Sequence, residues 1–264
     1  MIMDAAAAMQ QGRRPYQEDA LGYGIYDEID AGYVVLADGM GGHAAGDKAS
    51  NLVVSEVAQH ISEVFATGAP TPQDIPEVLR ALTLRANASL RDYANASPEA
   101  KGLGTTLVVP LLSGNKLHWV SVGDSPLFLF REGRLHQINE DHSFGAQLDQ
   151  LLLSGELDME TAQHHPDRHC LTSALTGLDI PRIDLTSDPI TMQHGDIIVA
   201  CSDGLNFLDT ALIEETVRRT ADAKSQTIID ALLKEIEALN DVDQDNVAIA
   251  VVKLAERQCE PVFE

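Results

Sequence analysis

Residues 33–42 read YVVLADGMGG, an apolar run that ends in Asp38 and then in backbone rich in glycine. The aromatic and β-branched residues that begin the run favour a strand. Because glycine adds no side chain, the Asp38 carboxylate and the neighbouring Gly39 carbonyl can face one point at the end of that strand. Taken alone, DGMGG is equally typical of an ordinary tight turn. Its interpretation depends on two later stretches of similar composition.

Those two stretches also place a carboxylate beside a strand-like apolar run. Residues 196–204, DIIVACSDG, carry Asp203 just after the run, and residues 243–252, DQDNVAIAVV, carry Asp245 just before it. Strands bring such ends together, yet clustered carboxylates repel each other unless a cation lies between them. Hard oxygen ligands of this kind favour Mg²⁺ or Mn²⁺. The sequence therefore predicts a metalloenzyme.

The charge of the chain restricts its partners. The 264 residues include 18 Lys and Arg against 41 Asp and Glu, a formal net charge of −23. Such a chain repels a nucleic-acid backbone or an anionic membrane and attracts basic segments of proteins. We therefore expect protein partners and no nucleic acid.

Length and composition predict one domain over residues 1–264. A hydrophobic fraction of 44% is enough for one substantial core, and no linker rich in Pro, Gly or Ser divides the chain. No run approaches the roughly 18 to 20 apolar residues of a membrane span, and the N-terminus does not resemble a signal peptide. The cysteines, Cys170, Cys201 and Cys259, form no CxxC pair. We expect a cytoplasmic monomer.

The order of the predicted elements argues against a regular βαβ alternation. Apolar residues at helical spacing predict helices over 44–65, 75–93, 209–219 and 224–239. Short β-type runs predict strands at 105–112, 116–122, 126–130, 134–138, 183–185, 196–201 and 246–254. The first four of these runs, separated by SGN, GDS and REG, predict an antiparallel meander. The segment 139–171 is polar, and we expect a frayed tail after Ala255.

Six segments follow one another along the chain: GRRPYQEDA (12–20), LADGMGGHAAG (36–46), GLGTTLVV (102–109), VSVGDS (120–125), CSDGL (201–205) and DQDNVAIAVV (243–252). In this order they resemble the motifs of the metal-dependent Ser/Thr protein phosphatases of type 2C (PPM), in their bacterial form. The resemblance runs from about Gly12 to Leu254, nearly the whole chain. One motif alone would be weak evidence, whereas six in the family's order are highly specific.

The resemblance implies an α+β fold, a four-layer αββα sandwich of two central antiparallel sheets flanked by helix pairs. It implies a protein-serine/threonine phosphatase that hydrolyses phosphoserine and phosphothreonine by direct attack of a water bridging two metal ions. These ions would be Mn²⁺ or Mg²⁺, with a third, weaker ion beside them. Phosphorylated proteins are the expected substrates, with a cognate Ser/Thr kinase and its targets as the partner class. The absence of a CxxxxxR loop argues against a cysteine-based phosphatase.

The resemblance also implies a set of metal ligands. Asp38 would bridge the two metals, and the Gly39 carbonyl would bind one of them. Asp203 and Asp245 match ligands of the first metal, while Glu18 matches a ligand of the second.

Two further residues near the N-terminus match catalytic positions of the family. Asp19 would orient metal-bound water as a partner outside the ligand set. Arg14 matches the arginine that grips substrate phosphate, a task suited to the planar fork of the guanidinium. Arg13 could take this role by a shift of one residue, and we favour Arg14.

Asp124, in VGDS, has two interpretations. Gly-Asp-Ser between two strands is typical of a hairpin turn, because Asp caps its own backbone and Gly permits unusual dihedral angles. The family instead places a ligand of the third metal at this aspartate, and we favour that role. Many relatives carry an arginine after the Ser of this motif, where this chain has Pro126.

Residues 142–175 resemble the flap of bacterial family members. The family's usual LTRALG ending is LTSALTG here, with Ser173 in place of arginine, which leaves the substrate contacts of this segment open. The cluster His164, His165, His169 and Cys170 has spacing that also occurs in zinc sites, but the flap resemblance favours a role without metal.

His43 follows DGMGG and could protonate a leaving group. Eukaryotic relatives that use a histidine in this way place it directly after the Asp-Gly pair, where this chain has Met40. We therefore favour a role for His43 at the start of a helix or in contact with substrate.

Two alternative functions remain to be considered. Residues 39–44, GMGGHA, fit a GxGxxA pattern between a strand and a helix, which is typical of a dinucleotide-binding oxidoreductase. The antiparallel organisation predicted after it argues against that function. The second alternative is a catalytically inactive sensor or scaffold on the phosphatase fold, which the presence of every predicted carboxylate ligand disfavours.

Overall fold

The computed structural model describes residues 2–41, 44–68, 70–97 and 102–255. In chain order the strands are β1 (Ile2–Gln10), β2 (Asp19–Tyr26), β3 (Ala31–Met40), β4 (Gly104–Thr105), β5 (Leu107–Ser113), β6 (Lys116–Val122), β7 (Leu127–Arg131), β8 (Arg134–Gln137), β9 (Asp184–Leu185), β10 (Ile190–Thr191), β11 (Ile197–Cys201) and β12 (Val247–Ala255). The helices are α1 (Ala44–Ala66), α2 (Ile75–Ala96), α3 (Phe144–Ser154), α4 (Met159–Gln163), α5 (Thr210–Thr220) and α6 (Ser225–Leu239). A 3₁₀ turn covers Asp203–Phe207.

The strands form two sheets. One follows the order β1-β12-β11-β7-β8, and the other follows β10-β6-β5-β3-β2 with β4 on β3 and β9 on β6. Within the described residues, every pair of these strands is antiparallel. A dinucleotide-binding domain requires parallel βαβ units, so this arrangement argues against that alternative.

The two sheets pack against each other, and a pair of helices covers the outer face of each sheet. Three apolar clusters fill the spaces between these four layers. The period of two along β3 sends Val35 toward α1 and α2 and sends Val34 toward the opposite sheet. The outer cluster on the other side packs α5 and α6 against β11 and β12, through Ile213, Ile228 and Val199 among others. Burying each such side chain contributes about 1.5 to 3 kcal/mol. The predicted αββα sandwich with a helix pair on each face is thus confirmed.

The hairpin interpretation of the Gly-Asp-Ser turn was wrong, and with it the single meander. Strands β6 and β7 lie in different sheets, so the turn between them carries the chain from one sheet to the other. Gly123 has φ +107°, and a Cβ there would lie 2.6 Å from Thr106 Cγ2. Glycine is therefore needed both for the backbone angle and for the close approach.

The sequence also missed several elements. The segment 139–171 contains α3 and α4, whose first turns are capped by the side chains of Ser143 and Asp158. The alanine-rich N-terminus forms β1, which pairs with the whole of β12 from Gln10 to Ile2. The short strand β10 was not predicted either. His43, Cys259 and the tail after Ala255 lie outside the described residues.

Candidate metal centre

The register of β2 and β3 brings two of the predicted site residues face to face. Asp19 lies directly opposite Asp38 in the antiparallel ladder. Like charges in this position destabilise a sheet, so the pair is expected only where something compensates for the repulsion. Asp38 is fixed by three backbone hydrogen bonds: its N–H donates to Thr106 Oγ1, and its carbonyl accepts from Thr106 N and Thr105 Oγ1, each at 2.9 Å.

Asp203 reaches the same place from the other sheet. It follows β11 and opens the 3₁₀ turn, and it lines the same cleft as Asp38. Burial first, and then the charges of Asp19, Asp203 and Asp124, raise the pKa of Asp38 well above its usual range. The pKa of Asp203 is also raised, by burial and then by the charge of Asp245.

Asp19 is the most enclosed carboxylate of the group, with 3% of its surface exposed. Burial raises its pKa to about 7, and the charges of Asp203, Asp245 and Glu18 act in the same direction. The hydroxyl of Ser202 opposes this shift because it donates to Asp19 Oδ2 at 2.7 Å. The carboxylates therefore lie close enough to interact strongly.

Asp124 borders the same group. Burial raises its pKa to about 7, and the charges of Asp203 and Asp141 add to the effect. His142 holds the turn that carries Asp124. The His142 Nδ1 accepts from Gly123 N–H at 3.2 Å, and the backbone N–H of His142 donates to the Gly123 carbonyl at 3.0 Å.

Glu18 and the Gly39 carbonyl converge at the start of α1. A Cβ built on Gly46 would lie 2.4 Å from Glu18 Oε1 and 2.9 Å from Gly39 O. The two oxygens therefore face one point that no side chain at position 46 could share. The family resemblance assigns both the Gly39 carbonyl and Glu18 to metal binding.

The two candidate phosphate arginines diverge. Arg14 points toward the carboxylates, and its Nη2 lies 2.5 Å from Asp245 Oδ2. Arg13 points away, since its Nη2 donates to Asn240 Oδ1 at 2.9 Å and its backbone N–H to the Gln244 carbonyl at 2.8 Å. The geometry favours Arg14 over Arg13 for contact with a ligand at the carboxylate group.

Asn246 is a positioning residue that sequence reasoning missed. It is 4% exposed, and it ties the loop before β2 to the start of β12. Its Oδ1 accepts from Glu18 N–H at 2.7 Å, and its Nδ2 donates to the carbonyls of Gln11 and Tyr16 at 2.8 and 2.9 Å. Asn246 lies inside the DQDNVAIAVV motif, so its position beside Asp245 was the available signal.

The donor set fits a hard divalent cation. Several buried carboxylates that repel one another, together with a backbone carbonyl, form a set of oxygen donors suited to Mg²⁺ or Mn²⁺. As they stand, no three His, Cys, Asp or Glu side chains of the described residues have the geometry to hold a metal ion. Asp245 is instead engaged with a neighbour, Arg14.

The histidine cluster gives no support to a zinc site. His164 Nδ1 lies 3.0 Å from the Glu160 carbonyl, and His165 Nδ1 accepts from Asp167 N–H at 3.2 Å. The His165 ring also packs against Phe144, with the ring centroids 5.0 Å apart.

Two clefts meet above the carboxylates. One has a volume of about 620 Å³ and the other about 410 Å³, and both are lined by Asp124, His169 and Asp203. The larger cleft also reaches Asp38, whereas the smaller passes the start of α3. A ligand with an extended chain can therefore approach the carboxylate group from two sides.

A four-layer αββα sandwich with acidic residues from both sheets under an open cleft is the architecture of a metal-dependent phosphatase. The sequence model of the family described as protein phosphatase 2C matches residues 11–239. The chain belongs to the protein phosphatase 2C family.

Characterised relatives agree with this assignment. A serine/threonine phosphatase stp of Listeria monocytogenes is 30% identical over 255 residues, covering 95% of this chain and 96% of the relative. The serine/threonine protein phosphatase PstP of Mycobacterium tuberculosis is 33% identical over 236 residues, covering 87% of this chain and 42% of the relative.

Solved structures show the same fold. The M. tuberculosis phosphatase PstP/Ppp aligns with a TM-score of 0.78 at 31% identity, over 97% of this chain and 100% of the other. A PstP catalytic domain in complex with two manganese ions aligns with a TM-score of 0.71 at 27% identity, over 97% and 100%. The chain is therefore a metal-dependent protein-serine/threonine phosphatase that acts on phosphoproteins. No helix among the described residues is long and apolar enough to cross a membrane.

Proposed function

We propose that the five predicted ligands, Glu18, Asp38, Gly39, Asp203 and Asp245, hold two divalent ions, and that Asp124 contributes to a third, weaker site. The observation that carries this proposal is the convergence of Asp38 and Asp203, two acids that arrive from different sheets and line the same cleft. A cation bound there would offset the mutual repulsion of the two carboxylates. The two manganese ions of the PstP catalytic domain support the same number here. Mn²⁺ and Mg²⁺ both suit the oxygen ligands.

When bound, the ions would supply positive charge at the phosphoryl oxygens and would lower the pKa of water so that it could attack phosphorus at neutral pH. Arg14 adds a fork of donors for two phosphoryl oxygens, and its half-exposed guanidinium can leave Asp245 when phosphate enters. Asp19, whose Oδ2 is held by Ser202, accepts a hydrogen bond beside Asp38 and so orients the attacking water. No covalent intermediate with the chain is needed.

Hydrolysis of a phosphothreonine peptide with and without metal tests this function. Activity should require added Mn²⁺ or Mg²⁺ and should disappear in excess EDTA. Calorimetric titration with Mn²⁺ should give two strong binding events, and Asp124→Ala should leave both in place. Full turnover in EDTA would refute the mechanism, and a single binding event would refute the number of ions.

We further infer that residues 142–175 act as a flap within a single domain over residues 1–264, and that the protein is a cytoplasmic monomer whose substrates are the targets of a Ser/Thr kinase. The flap inference is supported by Ser143 and Arg168 on the rim of the smaller cleft. The exposed thiol of Cys170 agrees with a reducing compartment. Light scattering at micromolar concentration should give one chain per particle, and a dimer mass would contradict the monomer.

A further inference from the structure

One wall of the larger cleft has no part in the chemistry described above. Residues 176–181, TGLDIP, contribute Thr176, Leu178, Asp179 and Pro181 to the cleft whose floor includes Asp38. Leu178 is 75% exposed. We call residues 176–181 the cleft wall.

Asn87 of α2 holds the cleft wall from behind. Its Nδ2 donates to the Leu178 carbonyl at 2.6 Å, and its Oδ1 accepts from Thr176 N–H at 3.1 Å and from Gly177 N–H at 2.8 Å. Only 7% of Asn87 is exposed. A buried amide that directs three hydrogen bonds to one turn fixes the path of that turn.

Close packing against α2 adds to this restraint. Gly177 has φ +78°, and a Cβ there would lie 2.7 Å from the backbone N and Cα of Arg91. The wall backbone therefore lies directly on the helix, at a position that only glycine allows.

The ends of the wall are anchored as well. Ser173 Oγ donates to the Arg182 carbonyl at 2.6 Å and accepts from Arg182 N–H at 3.1 Å, which closes the loop at its base. Leu175 exchanges two backbone hydrogen bonds with Thr105, at 2.9 and 3.0 Å, and Thr105 Oγ1 in turn donates to the Asp38 carbonyl. The wall thus has a fixed position relative to the catalytic floor.

We propose that the cleft wall is a substrate subsite that receives an apolar side chain next to the phosphorylated residue, with Asn87 as its positioning residue. The proposal rests on the phosphatase function set out above. A phosphate over Asp38 places the flanking residue of the peptide in the same cleft, alongside Leu178 and Pro181. Asp179 and the carboxylate floor repel an acidic flanking residue.

The first test compares phosphothreonine peptides in which the two residues on each side of phosphothreonine are all Leu, all Ala or all Asp. With Mn²⁺, wild type should show kcat/KM about tenfold higher for the Leu peptide than for the Ala peptide, and lowest for the Asp peptide. Leu178→Ser, at an exposed position that folding does not depend on, should bring the Leu-to-Ala ratio close to one. An unchanged ratio in this variant would overturn the subsite.

The second test addresses Asn87. Asn87→Ala should lower the Leu-to-Ala ratio mainly through a higher KM for the Leu peptide, because the wall is displaced and the floor is intact. Thr83→Val is the matched control: Thr83 is buried on α2 four residues earlier, and its hydroxyl donates to the Leu79 carbonyl of the same helix. The control should retain the wild-type ratio. An equal loss in both variants would refute a positioning role for Asn87.

Turnover of p-nitrophenyl phosphate separates this inference from the proposed function. If wild type with Mn²⁺ hydrolyses this compound and the peptides without preferring Leu, the subsite is wrong and the phosphatase function stands. If it hydrolyses none of them, the proposed function fails and the subsite with it.

Discussion

At the level of single residues, we expect Asp38 and Asp124 to contribute unequally to the candidate metal centre. Asp38 is shared between both proposed ions, so Asp38→Asn should lower kcat at least about 100-fold because it weakens both together. Because we propose that Asp124 serves only the weaker site, Asp124→Ala should lower kcat about tenfold while both strong Mn²⁺ sites remain. Phosphopeptide kinetics at saturating Mn²⁺ and calorimetry measure these two effects.

The melting temperature of the metal-free protein provides a control for the Asp38→Asn variant. Asp38→Asn keeps the shape of the side chain and removes a carboxylate that burial and neighbouring charge disfavour. Its melting temperature in EDTA at pH 8 should therefore exceed that of wild type, although its activity is lost. Equal and small losses of activity in both variants would mean that the ligand assignments are wrong.

Arg14 should contribute to substrate binding and to transition-state stabilisation together. Arg14→Ala is expected to lower kcat/KM roughly 100-fold, a typical loss for a charged hydrogen-bond donor to phosphate, while Mn²⁺ affinity changes little. Arg13→Ala is the matched control, since Arg13 bonds to Asn240 and Gln244 instead of the carboxylates. A large loss in Arg13→Ala with none in Arg14→Ala would show that the chosen register is off by one residue.

At this scale the sequence predicted the carboxylates of the candidate site and not the residues that support them. Asp38, Asp203 and Asp245 were predictable because each adjoins an apolar run, a pattern visible without a structure. Asn246 and Ser202 have no such pattern, since an uncharged polar residue beside a strand is usually a turn or a cap. Their role depends on contacts across the chain, which only the packing of the two sheets reveals.

Among the elements, the loop of residues 11–18 is anchored by the side chain of Asn246. Asn246→Ala removes the acceptor of Glu18 N–H and the donor to Gln11 and Tyr16. The free energy of unfolding of the metal-free protein should fall by about 2 to 4 kcal/mol, because backbone groups lose buried partners. Urea denaturation in EDTA measures this loss.

An exposed asparagine provides the comparison for that loss. Asn51 on α1 donates to Asp47, one turn earlier, and Asn51→Ala should cost less than about 0.5 kcal/mol. The Mn²⁺ concentration that gives half-maximal activity should rise in Asn246→Ala and not in Asn51→Ala, because only the first change loosens Glu18. If both variants behave alike, the loop does not depend on Asn246.

The elements themselves were predictable where periodicity is strong. Helices α1, α2, α5 and α6 were each predicted to within a few residues, because each buries an apolar stripe. The turn at Gly123 was misread because Gly-Asp-Ser suits a hairpin and a crossing between sheets equally well. Strand β1 was missed because an alanine run has little strand propensity, and its pairing with β12 is set by the far end of the chain.

For the whole molecule, the carboxylate group links stability to pH. The pKa of Asp19 and of Asp124 rises from 3.8 to about 7 in the folded, metal-free protein, whereas the unfolded chain retains the ordinary value. Between about pH 4 and pH 7 the folded state therefore binds more protons than the unfolded state. The free energy of unfolding falls as pH rises through this window, and the loss, on the order of a few kcal/mol, is complete above pH 7.

Metal should reverse this loss, because the ligands come from distant parts of the chain and only the folded state presents them together. In EDTA the melting temperature should fall by about 5 °C or more from pH 5 to pH 8. At Mn²⁺ about 100-fold above its Kd, each independent site adds roughly 2.7 kcal/mol, and the added stability should be larger at pH 8 than at pH 5 because protons no longer compete.

Sodium chloride of equal ionic strength controls for screening of the net charge of −23. The double variant Asp203→Asn with Asp245→Asn controls for the site. If Mn²⁺ raises the melting temperature of that variant as much as that of wild type, these carboxylates do not form the metal centre.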